Sequence, residues 1–90
     1  MSLHSVHPAL AGPVPRSLLV VDGDAAERAY LSTAARHLGV AVVHEAGDGR
    51  EALHLLERLD CPPDAIVLEL DLPGMDGIEL IGQLHAREAR

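Results

Sequence analysis

Two carboxylates stand near the ends of short apolar runs. Ser17-Leu18-Leu19-Val20-Val21-Asp22 closes on an aspartate, and Ala65-Ile66-Val67-Leu68-Glu69-Leu70 carries a glutamate as its penultimate residue. Asp24 follows Asp22 by two positions, and Asp71 follows Glu69 by two. Acidic groups converging in this way can hold a hard divalent cation through oxygen, and one of them can attack a phosphoryl group. That chemistry requires Asp22 and Glu69 to lie side by side, so the elements that carry them must be neighbours.

Both runs read as strands buried on two faces, because neither shows a polar alternate face. Between them, Asp24-Ala25-Ala26-Glu27 has capping-box spacing, with Asp24 accepting from the Glu27 N–H and Glu27 reaching back. A helix follows, with Leu31, Ala35 and Leu38 as its inner stripe and Gly39 as its left-handed stop. Val40 to Val43 is a β-branched run that continues toward Ala46. Asp48-Gly49-Arg50-Glu51 repeats the cap pattern and opens a second helix, in which Ala52, Leu53, Leu56 and Leu59 face inward. Cys61-Pro62-Pro63 ends that helix. Asp71 to Gly77 is rich in turn formers, and Ile78, Ile81 and Leu84 form the stripe of a third helix.

The predicted order is β-α-β-α-β-α with short connections, which implies a parallel α/β sheet with right-handed crossovers. In open sheets of this kind the chemistry gathers at the carboxyl ends of the strands. Asp22 and Glu69 both fall there.

Composition limits the functions available. The chain has 90 residues, 48% hydrophobic and 23% charged, which suits one small globular domain. Fourteen acidic residues against seven basic ones give a formal net charge of −7. Such a surface repels phosphate backbones, and a single Tyr with no Phe or Trp supplies no stacking platform, so no direct nucleic-acid partner is expected. No apolar run reaches membrane-span length, and no membrane partner is expected. The lone Cys61 excludes an internal disulfide and fits a cytoplasmic setting. The six histidines show no paired metal spacing within one element. Residues 1–16 hold three prolines and lack the pattern of a secretory signal, so they read as a flexible leader before a domain over residues 17–90.

The stretch Asp64 to Gly77, DAIVLELDLPGMDG, resembles the phosphorylation loop of response-regulator receiver domains, which share the flavodoxin-like, CheY-like fold. In that family the third strand runs into a phosphate-accepting Asp, followed by a Pro and a Met-Asp-Gly turn. Pro73, Gly74, Met75, Asp76 and Gly77 fit that turn, Asp48 to Leu53 resembles the opening of the second helix, and Leu19 to Asp22 the end of the first strand. The resemblance implies a three-layer fold with strand order 2-1-3-4-5, of which these residues cover β1-α1-β2-α2-β3-α3. It implies signal transduction in a phosphorelay, without catalysis by the chain itself, and a histidine kinase or an output domain as partner.

It also marks departures. The acceptor position falls on Glu69, one methylene longer than Asp. The family's second acid on the first strand falls on Gly23, leaving Asp22 and Asp24 as the acidic pocket. Asp71 stands where a backbone carbonyl is expected to ligate the metal. Mg2+ binding through Asp22, Glu69 and Asp71 is therefore expected to be weakened or lost. Glu69 would be either an inert remnant or a permanent mimic of the phosphorylated state. The fourth strand with its Ser or Thr, and the fifth with its Lys, find no counterpart within these 90 residues. The expectation is thus a partial receiver that is not phosphorylated and acts through protein contacts, with a homodimer through the third strand's open edge among them. Two alternatives are kept. Leu19 to Asp24 also resembles the Asp-x-Asp strand of haloacid-dehalogenase phosphatases, though Ala25 and Ala26 replace the usual Thr. A structural fragment that folds only on pairing is the other.

Overall fold

The computed structural model describes residues 14–69 together with 79, 80, 82, 83 and 86. The elements are β1 (Ser17–Val21), α1 (Ala25–His37), β2 (Val42–Ala46), α2 (Gly49–Arg58) and β3 (Ala65–Leu68). Glu79, Leu80, Gly82, Gln83 and Ala86 are helical, where the third helix is expected. The Asp71–Gly77 turn and the Ile78, Ile81 and Leu84 stripe lie outside the described residues.

The sheet is parallel with order β2-β1-β3, matching the first three positions of the expected order. β1 is central and buried on both faces; β3, read as equally buried, is only half-buried with Val67 41% exposed, because among the described residues it pairs on one side only. Leu19 and Val21 pack with Ala46, Ala52 and Leu80 on one side, with Leu53, Leu55, Leu56, Ile66 and Leu68 around them. Leu18 and Val20 pack with Ala35 and Val40 on the other, bordered by Leu31, Val43 and Ala65. Leu19 and Val20 are fully hidden, each contributing about 1.5–3 kcal/mol of burial.

Both helix starts use the expected aspartate. Asp24 Oδ1 accepts from the Glu27 N–H at 3.0 Å, and Asp48 Oδ1 from the Glu51 N–H at 2.7 Å. The return bonds differ from a capping box. The Asp24 N–H goes to Asp22 Oδ1 at 2.9 Å, while Glu51 Oε1 accepts from the Gly47 N–H at 2.7 Å. Glu27 is thereby released for another partner. Gly39 ends α1 with φ +105°, and the Gly39 and Val40 N–H groups return to the carbonyls of Arg36 and Ala35.

Several expectations need correction. Leu38 is half exposed, because it is the C-cap of α1 where the chain turns away; Ser32 is buried on the inner face instead. β2 starts at Val42, two residues later than Val40, because the Arg16 carbonyl accepts from Ala41 and Val42 and sets where pairing begins. β3 stops at Leu68, though the Glu69 N–H still bonds the Val21 carbonyl at 2.9 Å. Leu80, absent from the expected stripe, is fully buried against β1.

Candidate functional site

The registers Val21↔Ala46 and Val21↔Leu68 bring the residues after β1 and β3 to one end of the sheet. Asp22 and Glu69 therefore end adjacent strands, as the sequence implied. Their environments differ. Asp22 is only 4% exposed, whereas Glu69 is exposed.

Asp22 is engaged through both main chain and side chain. Its N–H donates to the Ala46 carbonyl at 3.1 Å. Its Oδ1 accepts from the Asp24 N–H at 2.9 Å, and its carbonyl accepts from Arg28 Nη1 at 2.6 Å. Its side chain also shares a hydrogen bond with the Glu27 carboxyl. That bond, with some desolvation and the charges of Asp22, Glu69 and Asp24, holds the Glu27 pKa above the ordinary 4.5. Three acidic side chains thus act on Glu27 at this end. Asp24 sits at its rim as the α1 cap.

Glu27 and Arg28 were not read as site residues from the sequence. The available signal was a pair of charged residues in the first two turns of a helix that starts directly after the acidic strand end. Arg28 Nε lies 3.4 Å from Glu45 Oε1. Glu45 pairs in register with Val20, whose side chain packs toward α1, so β2 presents Glu45 on the face α1 covers. The β2–α2 turn passes close by. A Cβ built on Gly47 would lie 3.3 Å from Arg28 Nη1 and 3.4 Å from Glu51 Oε1, so glycine here provides room for two converging side chains.

A receiver of this type would hold Mg2+, which requires a near-octahedral oxygen set. Gly23 offers no side-chain oxygen, Asp22 Oδ1 already accepts a main-chain N–H, and a guanidinium is bonded to the Asp22 carbonyl. Among the described residues, no three His, Cys, Asp or Glu side chains gather closely enough to hold a metal ion. These residues do not fit the ion. Asp71, the remaining expected contributor, lies outside the described residues.

The sequence profile of the family "Response regulator receiver domain" matches residues 18–90, and the chain belongs to that family. Among curated proteins it is similar to the transcriptional regulatory protein PdtaR of Mycobacterium tuberculosis (strain H37Rv), 34% identical over 74 residues, covering 82% of this chain and 35% of that protein. It is also similar to the nitrate/nitrite response regulator protein NarL of Escherichia coli (strain K12), 33% identical over 78 residues, covering 81% and 33% respectively. Among solved structures, the receiver domain of the Francisella response regulator 1452 superposes with a TM-score of 0.73 at 31% identity, covering 82% of this chain and 58% of that one. The chain spans about a third of the length of these curated relatives.

Proposed function

We propose that the chain is a receiver module of a two-component phosphorelay that carries no acyl phosphate at position 69 and signals through protein contacts. The observation that carries this reading is the state of the two strand-end acids. The one at the acceptor position is a glutamate, and the other is buried, with its Oδ1 accepting from the Asp24 N–H and its main-chain carbonyl from Arg28. Divalent-cation affinity is weak on this reading, because Gly23 removes both a ligand and a charge. A histidine kinase or an output-domain protein, in the cytoplasm, is the partner class that membership of the family favours. Self-association through β3 is a second contact.

The phosphatase alternative has less support. The Asp24 carboxylate that it needs as an acid caps α1 by accepting from Glu27.

Intact-mass analysis after treatment with acetyl phosphate and Mg2+ tests the reading. No stable adduct is expected on the wild-type chain or on Glu69→Asp. A stoichiometric adduct that disappears in Glu69→Gln would overturn it.

A further inference from the structure

Arg28 joins two strands through one rigid group. Its Nη1 donates to the Asp22 carbonyl at 2.6 Å, and its Nε lies 3.4 Å from Glu45 Oε1. The two anchors differ in kind. The carbonyl bond is short and part-buried, whereas the Glu45 contact is longer and its side chain is 38% exposed. A guanidinium is planar, so a shift at Nε turns Nη1 with it. The group is also hemmed in, since a Cβ on Gly47 would lie 3.3 Å from Nη1 and 3.8 Å from Cζ. On the Asp22 side, the bonded carbonyl belongs to the peptide that leads into Gly23, the residue type with the widest backbone freedom. Asp24 follows, with its N–H on Asp22 Oδ1 and its side chain capping α1. Fixing the Asp22–Gly23 peptide therefore removes freedom from the whole β1–α1 turn.

We propose that Arg28 relays contact at the reachable Glu45 carboxylate to the β1–α1 turn, with Glu45 as the input and the Asp22 carbonyl as the output. A Lys or Arg side chain of a partner protein that pairs with Glu45 takes away one of the two anchors of the guanidinium. The Asp22–Gly23 peptide then loses its fixed donor, and the exposed residues Gly23 and Asp24 loosen while β1 keeps its strand pairing. A partner seated on β2 thus alters a turn that it does not touch. The inference goes beyond the reading of position 69 and does not rest on it.

Glu45→Thr stands in for a partner that occupies the carboxylate, because it removes the acceptor and keeps strand propensity. Amide hydrogen exchange of the full 90-residue chain reads the result, with Asp24 reporting the turn and the buried Val20 reporting the sheet. Relative to Val20, Asp24 exchange is expected to speed up about three-fold or more in Glu45→Thr and about ten-fold in Arg28→Gln. Arg58→Gln, which removes an arginine from the end of α2, should leave the ratio within about two-fold of wild type. Added to Arg28→Gln, Glu45→Thr should change nothing further, because its effect passes through Arg28. Where Arg28→Gln does not fold by circular dichroism, Arg28→Met, which retains the apolar stem, carries the same expectation. Equal acceleration at Asp24 and Val20 marks a general loss of stability and overturns the proposal. So does an unchanged Asp24 in Glu45→Thr, or a Glu45→Thr effect that persists in full without Arg28.

Discussion

Ser17 and Asp64, 47 residues apart, bind each other reciprocally: Asp64 Oδ2 accepts from the Ser17 N–H at 3.2 Å, and the Asp64 N–H reaches Ser17 Oγ at 3.0 Å. The same carboxylate accepts from the Arg16 N–H at 3.1 Å, and the Arg16 carbonyl anchors Ala41 and Val42. One carboxylate therefore fastens the starts of β1 and β3 beside the point where β2 begins. Asp64→Ala is expected to cost about 1–2 kcal/mol in urea denaturation, since charge-assisted bonds to main-chain N–H groups are lost at an exposed site. Ser17→Ala should cost less. The double variant should lose less than the sum, because the two side chains act on a shared clasp.

Leu80 and Leu38 give a contrast in burial. Leu80 is fully buried against Leu19, Val21, Ala46 and Ala52, whereas Leu38 is 50% exposed. Leu80→Ala should destabilise by about 2–4 kcal/mol through lost burial and a residual cavity. Leu38→Ala should fall within about 0.5 kcal/mol of wild type. Thermal and urea unfolding of both variants check this, and comparable losses would contradict the assignment of the third helix to the core.

Glu27 sets a pH dependence. Its pKa is raised by its hydrogen bond to Asp22, so between 4.5 and its folded-state midpoint the folded chain holds a proton that the unfolded chain has released. This group's contribution to stability is therefore fully present below 4.5 and is lost as pH rises through the folded-state midpoint. Carbon-detected NMR titration should place the Glu27 midpoint above 4.5, and Asp22→Asn should bring it back toward that value. A midpoint unaffected by Asp22→Asn would contradict the contact.

The outer edge of β3 gives a prediction about association. β3 pairs with β1 on one side, and Val67 is 41% exposed. Because the Glu69 N–H points to Val21, alternation turns the Ile66 and Leu68 N–H groups away from β1. Such an edge, with apolar side chains beside backbone donors that β1 does not use, recruits another strand. Sedimentation of the 90-residue chain should show dimers at micromolar concentration, with Val67→Lys shifting it to monomer. A monodisperse monomer with strong amide protection at Ile66 and Leu68 would rule this out.

Much of this protein was written locally. The apolar runs at residues 18–21 and 65–68 specify strands, of which only the first is buried on both faces, and Asp24, Asp48 and Gly39 specify helix ends through one side-chain oxygen or one positive φ. Those features, with the Pro73–Gly77 turn, sufficed for the fold and for placing Asp22 and Glu69 on adjacent strand ends. What needed three dimensions was the choice of partner. A capping glutamate has two acceptable targets nearby, and only the packed strand end, which gives the Asp24 N–H to Asp22, turns Glu27 toward Asp22. Arg28 looks like an ordinary helix arginine until the sheet sets Glu45 and the Asp22 carbonyl within its reach. Leu38 and Leu80 exchange the roles that periodicity gives them, because a helical stripe says which residues share a face but not where the chain leaves that face or what docks onto it. Those outcomes depend on contacts between residues distant in the chain, and spacing along one segment does not encode them.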